Sequence, residues 1–404
     1  MKKVLLACLL LLLCSAAAQA EFARDVTSEC KFQMPFVLTK LSYMRDRDYQ
    51  TTMETDSVVE PVLNITTGET PVAGMYVEFG RTRLPFSVQV KEGGKWRTVA
   101  NSGGYYAQEY VAFPPVTGQL RVCFRTNGKA QSVRISEITM LSEGAIDPEK
   151  IHIWMDTVQK ADLMITVAHP DDELLWLGGC IPYYTKEKNM AVLVNYLTCG
   201  KSWREHELLN GLWHCGVRHY PQIAYLPDFK PYNTDGVYAN WDRYDLYYYM
   251  VKTIRQYRPE VIVTHDLKGE YGHAQHIACA YSMHYAVRYA ADEDFHRESA
   301  AEYGTWDVKK FYVHLGEDYT TVMDWNQPLE TFDGKTGLDI AKEAFEMHVS
   351  QASKGTYAVA GPGTAYDSTR YTLIHTLVGG DVYGNDLFEN IRPEDLTTRY
   401  FKFE

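Results

Sequence analysis

The sequence predicts an α/β protein: a three-layer domain built on a parallel sheet, preceded by a small all-β sandwich. Three observations point there. Residues of about 21–143 carry short alternating apolar runs separated by turn residues, with no helical period. From Leu163 onward, strand-like apolar runs alternate with helical stretches. Between the two, Gly144 to Lys150 contains Asp147-Pro148 and reads as a linker. The expected organisation is a leader over 1–20, a β-sandwich over 21–145 and an α/β domain over 150–404.

In the first region the runs Met75 to Phe79, Phe86 to Val90 and Leu120 to Phe124 alternate with period two, as half-buried strands do. Gly93-Gly94, Gly103-Gly104, Pro114-Pro115 and Asn127-Gly128 supply the turns between strands. Regular short strands of this kind indicate a sandwich. In the second region, strands are expected at Leu163–Val167, Ala191–Leu197, Ile223–Leu226 and Val261–Val263. Helices are expected from Trp203 to Cys215, Tyr244 to Tyr257 and Gln275 to Arg288. Such a sheet has both faces covered, and ligands bind beyond the carboxyl ends of its strands. The residues after Val167 and Val263 are therefore the first places to look for chemistry. The tail from about Gly355 carries none that the sequence names, and its Gly361-Pro362-Gly363 reads as a lid or a plain loop.

Composition narrows the function classes. An apolar fraction of 46% and a charged fraction of 23% describe a folded chain, not a disordered one. A net charge of −12 without a Lys/Arg run argues against a nucleic-acid partner. Tyr is abundant at 30, and its flat ring with a polar tip suits sugar-like ligands without being specific for them.

Lys2 and Lys3, the apolar run Val4 to Leu13 and Ala18-Gln19-Ala20 have the form of a secretory signal peptide cleaved after Ala20. The apolar run is too short to span a bilayer, and no transmembrane segment is expected elsewhere. The expectation is export to a periplasm or the cell exterior, with the mature chain at about −14. Six cysteines remain: Cys30, Cys123, Cys180, Cys199, Cys215 and Cys279. None forms a C-x-x-C pair, which disfavours a Cys-only zinc site. Two readings stand for them: Cys30 pairs with Cys123, or all six are buried thiols.

Two polar clusters follow strand ends. The first is Ala168-His169-Pro170-Asp171-Asp172-Glu173. A helical turn would set His169 and Asp172 on one face, where an imidazole and a carboxylate can share a divalent cation. Pro170 and the acids also suit a plain helix start, which explains the acids but not the His. The second cluster is Thr264-His265-Asp266, then Gly269-Glu270-Tyr271-Gly272-His273-Ala274-Gln275-His276, with His273 and His276 again three apart. Ligands from His169, Asp172 and His276 would leave a metal position open, as catalytic sites do.

These motifs resemble the PIG-L/LmbE family of N-acetylglucosaminyl deacetylases, which carries A-H-P-D-D-E after its first strand and G-H-x-x-H later. Thr198, Gly200, Arg204 and Glu207 resemble its middle motif, and Glu343 to Gln351 its late helical motif, so the resemblance covers roughly residues 160–355. It implies a Rossmann-like domain holding one Zn2+ through His169, Asp172 and His276. It further implies Asp171 as general base, with His273 and Tyr271 assisting at the oxyanion or leaving group. The family often has Pro-Asp between its two His residues, where this chain has Ala274-Gln275. The substrate class implied is an amino sugar or glycan bearing an N-acetyl group. A metal-dependent amidase on a non-sugar amide, and a glycan-binding protein with an inactive hydrolase domain, are the competing readings.

Other residues carry two readings each. Arg204 contacts substrate or forms a salt bridge within its helix. Glu173 caps or orients, His265, Asp266 and His348 support the site or the core, and Trp176 and Trp203 line the pocket or fill the core. The tyrosines Tyr244, Tyr247, Tyr248 and Tyr249 are expected in packing. In the first region, Ser87 to Val90, Gly94-Lys95-Trp96, Phe113 to Val116 and Val133 to Ile138 resemble the discoidin (F5/8 type C-like) jelly roll. That resemblance implies glycan binding or a structural appendage, with Trp96 expected in the core.

Overall fold

A computed structural model describes residues 21–397. The leader expected over residues 1–20 lies outside them. The described chain divides into two compact units, one ending at Ile153 and one beginning at Trp154.

The first unit holds nine strands: β1 Lys31–Gln33, β2 Met53–Glu54, β3 Val62–Thr66, β4 Val72–Phe79, β5 Phe86–Glu92, β6 Lys95–Ser102, β7 Gln108–Val116, β8 Gln119–Phe124 and β9 Arg134–Leu141. They form two antiparallel sheets, ordered β1-β3-β8-β5-β6 and β2-β9-β4-β7. In β8 the inward Leu120, Val122 and Phe124 alternate with more exposed neighbours, the two-residue period read from the sequence. Both sheets feed one apolar core: Leu63, Val88 and Val122 from the first, Met75, Val77 and Ile135 from the second. One expectation fails here, and of the two readings for the cysteines the free thiols stand, with Cys123 only partly buried. Trp96 is not in the core; it lies half-exposed on β6, with the Arg121 guanidinium 4.3 Å from its ring centre. Its inward-facing slot is lost because β6 is an edge strand, exposed along most of its length. Cys30 and Cys123 are unpaired, as are the other four described cysteines. Cys30 instead spends its thiol on the Val26 carbonyl, 3.5 Å away.

The second unit is built on seven strands: β10 Leu163–Val167, β11 Val192–Thr198, β12 Gln222–Leu226, β13 Val261–Thr264, β14 Lys310–His314, β15 Thr321–Val322 and β16 Arg370–Thr376. Its main helices are α1 Asp172–Leu175, α2 Ser202–His214, α3 Arg243–Tyr257, α4 Ala274–Tyr289, α5 Arg297–Tyr303 and α6 Gly337–Glu346. The sheet order is β12-β11-β10-β13-β14-β16-β15. The first five strands are parallel; beyond them β16 runs antiparallel to β14, and the edge strand β15 runs antiparallel to β16. Met164, Leu193, Ile262 and Phe311 turn one way into a core shared with Met250, Ile254 and Met283 of α3 and α4. The intervening Ile165, Val194 and Val263 are equally buried, so both faces of the sheet are covered. The chain runs from β10 outward to β12, then returns to the other side of β10 as β13. The β10/β13 junction is therefore where strand order reverses, the place where open α/β sheets keep a crevice.

The tail is part of this sheet and not an appendage, because β16 pairs with β14 over five residues. A buried ion pair pins the chain beyond β16. Lys310 on β14 meets Asp381 with both side chains inaccessible. Tyr312 and Thr321 donate to the same carboxylate at 2.9 and 2.5 Å, and Lys310 Nζ also donates to the Glu389 carbonyl at 2.9 Å. Among the described residues, no helix is long and apolar enough to cross a membrane.

Removing one partner of such a pair leaves the other charge buried and alone. Asp381→Asn should cost roughly 3–5 kcal/mol of stability, read from the midpoint of denaturant unfolding. A loss below about 1 kcal/mol would show that the tail is not anchored through this pair.

Candidate metal centre and active site

The end of β10 and the end of β13 lie side by side, because Thr166 and Thr264 pair in register. The two polar clusters of the sequence therefore face each other across the crevice. His169 and Asp172 do meet, but not on a helical face. The helix α1 begins only at Asp172, and Asp171 before it adopts φ +103°. What closes the turn is the His169 backbone N–H, which donates to Asp172 Oδ2 at 2.7 Å.

Three donor atoms converge there. His169 Nδ1 stands 3.0 Å from Asp172 Oδ2 and 3.2 Å from His276 Nε2, and His276 Nε2 stands 3.3 Å from Asp172 Oδ1. Ligand bonds of 2.0–2.1 Å in a tetrahedron place neighbouring ligands roughly 3.3 Å apart, so the spacing suits a zinc-like cation. The opposite ring nitrogens are committed elsewhere. His276 Nδ1 donates to Glu270 Oε2 at 2.8 Å, and His169 Nε2 donates to Gln275 Oε1 at 2.9 Å. Each imidazole then presents a lone pair inward, toward a carboxylate. Three acceptors at such distances repel one another unless a cation lies among them, and outer acceptors of this kind are how proteins orient metal-binding histidines.

Glu270 is the hub of that outer layer. Its carboxylate accepts from three imidazoles: His265 Nδ1 at 2.7 Å, His276 Nδ1 at 2.8 Å and His314 Nδ1 at 2.7 Å. Those partners hold the fully buried acid well below the usual carboxylate range, against the opposing effect of burial. Gly269 precedes it at φ +66°, where a Cβ would meet the His273 carbonyl and Ile277 at 2.8 Å. Only glycine fits that approach. His265 donates no ligand in this arrangement; its Nε2 accepts the Ala168 N–H at 2.9 Å, tying β13 to β10. It also lies 3.5 Å from Asp172 Oδ2, so Asp172, His265 and His276 form a second group able to hold a metal, beside His169, His273 and His276.

Asp171 is buried next to this centre. Arg204 reaches it from α2, with Nη2 2.8 Å from Oδ2, and also bonds the Pro170 carbonyl. Arg204 thus pairs with Asp171 and not within its own helix. Burial pushes Asp171 up to about 7, against the pull of Arg204. A non-glycine residue at φ +103° stores on the order of 1–3 kcal/mol of strain. Glu173 helps hold it, accepting the Asp171 N–H at 3.0 Å; burial raises Glu173 to about 8, and His348 Nε2 lies 3.7 Å away.

His273 caps α4, its ring 4.9 Å from that of His169. Burial, with His169 and His276 close by, lowers it to about 3, so it is neutral, and its Nδ1 has no hydrogen-bond partner. Gln275, at the position where the family often has Asp, serves His169 and not His273. Tyr271 adopts φ +45° and is 45% exposed, its ring 5.6 Å from His273 and 5.5 Å from His276. Trp176 is buried and donates to Asp172 Oδ1 at 2.9 Å. Glu207 accepts from Ser350 at 2.7 Å, just beyond the end of α6, which stops at Glu346 and does not run on to Gln351. Of the tyrosine run, Tyr249 bonds Asn195 and Tyr247 stacks on Tyr285, but Tyr244 is 66% exposed because it sits at the open start of α3. Sequence reasoning missed Glu270 and His314. Their only signal was an acid and a His placed, like the named residues, just after or at the end of central strands.

Residues 164–287 match the PIG-L family. The family is described as GlcNAc-PI de-N-acetylase. The chain is also 26% identical over 259 residues to a 1D-myo-inositol 2-acetamido-2-deoxy-alpha-D-glucopyranoside deacetylase of Catenulispora acidiphila, covering 57% of this chain and 73% of that protein. A probable N-acetylglucosaminyl-phosphatidylinositol de-N-acetylase of Schizosaccharomyces pombe is 28% identical, covering 36% of this chain and 56% of its own length. A solved N,N'-diacetylchitobiose deacetylase from Pyrococcus horikoshii superposes with a TM-score of 0.37 at 16% identity, covering 47% of this chain and 71% of that one. The PIG-L match takes in His169, Asp171, Asp172, Arg204, Glu270 and His276, and ends before the tail.

Glu270→Gln removes the charge that three imidazoles share. Metal affinity, measured by competition with a chromogenic chelator, should fall about 10–100-fold. An unchanged affinity would mean that Glu270 does not orient the ligands.

Proposed function

We propose that the chain is an exported zinc-dependent hydrolase that removes an N-acetyl group from an amino sugar or glycoconjugate. The observation that carries this reading is the inward convergence of His169, Asp172 and His276 beside a buried, Arg-paired Asp171. The names of the two similar bacterial and yeast proteins, both deacetylases of N-acetylglucosamine conjugates, support the substrate class.

The residues fit a divalent metal, and His169, Asp172 and His276 would hold it. Bound there, the ion supplies Lewis-acid chemistry: it lowers the pKa of a water and polarises a carbonyl. The protein does the rest. Asp171 takes a proton from the attacking water as a new C–O bond forms at the acetamide carbon. Arg204 holds one oxygen of that carboxylate and leaves the other available. In this reading His273, neutral and with Nδ1 uncommitted, donates to the developing oxyanion, and Tyr271 beside it assists there or at the leaving group; one such donor contributes about 3–4 kcal/mol. The C–N bond then breaks, Asp171 returns the proton to the amine, and the products are acetate and a free amino sugar.

Three further parts belong to the same reading. The sheet order β12-β11-β10-β13-β14 supports a Rossmann-like domain over residues 150–404. The paired antiparallel sheets support a discoidin-like jelly roll over 21–145, which binds glycan or serves as a structural appendage. The form of residues 1–20 supports delivery to a periplasm or the cell exterior.

Acetate release from N-acetylated sugars, with and without chelator, tests the function. Asp171→Asn should keep its metal by elemental analysis and lose about 10²–10⁴-fold in kcat/KM. Wild-type turnover by that variant would overturn the base assignment, and chelator-resistant acetate release would overturn the metal.

A further inference from the structure

The segment after α6 brings two tyrosines to the mouth of the site. Tyr357 lies 5.9 Å from Tyr271, with their ring planes 32° apart. Tyr366 meets the edge of Trp176 at 5.4 Å and of Tyr271 at 6.4 Å. Trp176 is the buried base of this group, while Tyr271 and Tyr357 remain 45% and 37% exposed. Tyr271 in turn lies against His276. The result is an aromatic wall that starts at a metal-ligating histidine and continues outward on rings that no core packing explains. Both added tyrosines lie outside residues 164–287.

The segment that carries Tyr366, just beyond Tyr357, is held by its own hydrogen bonds. Asp367, 2% exposed, accepts from Gly363 N at 2.8 Å, Thr369 N at 3.0 Å and Thr369 Oγ1 at 2.6 Å, and pairs with Arg370 at 3.1 Å. Its carbonyl meets His314 Nε2 at 3.3 Å, one imidazole away from Glu270. Upstream, Ala360 N donates to the Leu175 carbonyl at 2.9 Å, at the end of α1. A wall held in place before binding loses little ordering entropy when a ligand arrives.

An acetamide held between Asp171 and the ligand histidines must send the rest of its molecule outward. A pyranose offers a flat face of C–H bonds with hydroxyls around its rim. Partly exposed tyrosine rings, each an apolar face with a polar tip, match both features. Resting on the deacetylase reading, we propose that Tyr357 and Tyr366 select the substrate: with Tyr271 they bind a second sugar ring linked to the reacting amino sugar, so that oligosaccharides are preferred over the free monosaccharide.

The test uses the metal-loaded full chain with two substrates, N-acetylglucosamine and N,N'-diacetylchitobiose, and the variants Tyr357→Ala, Tyr366→Ala, their double and Tyr357→Phe. The wild type should favour the disaccharide in kcat/KM. The double variant should lower that preference ratio by roughly tenfold, chiefly through KM for the disaccharide, while Tyr357→Phe retains it. An unchanged ratio, including an equal fall on both substrates, would overturn the proposal. A second readout does not need turnover: chitobiose titration followed by tryptophan fluorescence. Should the wild type release acetate from neither sugar, the deacetylase reading fails. Saturable chitobiose binding weakened roughly tenfold in the double variant would still support the wall. No binding, or equal affinity in both proteins, would overturn it.

Discussion

The Glu270 carboxylate is the interaction on which the rest of the second unit depends. It is fully buried and is tolerated there only because three imidazole N–H groups point at it, from His265, His276 and His314. Those histidines come from the end of β13, from α4 and from the end of β14. One acid therefore fixes the ends of two neighbouring strands and the first turn of the helix between them. In doing so it settles which nitrogen of His276 faces inward. His265 relays the same constraint to β10 through the Ala168 N–H. The position of His169 thus depends on a charge two residues removed in contact and a hundred removed in sequence.

The inward side of this arrangement gathers donor atoms able to hold a cation. Two lone pairs and a carboxylate meet within 3.0–3.3 Å with their outer hydrogen bonds already spent. Beside them, Asp171 is strained at φ +103° and held by Glu173 and Arg204. Backbone strain and a cluster of buried donor atoms thus coincide at one place in the second unit. The location agrees with the topology, since the β10/β13 junction is where strand order reverses.

Much of the architecture was legible in the sequence, for a physical reason. Strands buried on both faces read as unbroken apolar runs, so β10 is found at Leu163–Val167 as expected, and α3 lies within a residue of its expected bounds. Period-two alternation marked the first unit in the same way. Short-range chemistry was legible as well: His169, Asp172 and His276 were named from two strand ends, and the structure brings their donor atoms together. What resisted reading depends on contacts far apart in the chain. The strand β16 is only partly buried along its length and lacks an unbroken apolar run, so the tail looked featureless. The left-handed turn at Asp171 has no glycine to announce it. Whether Trp96 faces inward depends on β6 being an edge, which no local pattern reveals. Glu270 sat in plain view between two glycines, but its three partners lie 5, 6 and 44 residues away.

The central claim is that His169, Asp172 and His276 share one cation whose place is set by Glu270. Anomalous diffraction from crystals of the zinc-loaded full chain, collected on both sides of the zinc edge, tests it most directly. The account predicts a single strong peak about 2.0–2.2 Å from His169 Nδ1, an Asp172 carboxylate oxygen and His276 Nε2. A peak that has His265 in place of His169, or no peak in this crevice at full zinc loading, would contradict it.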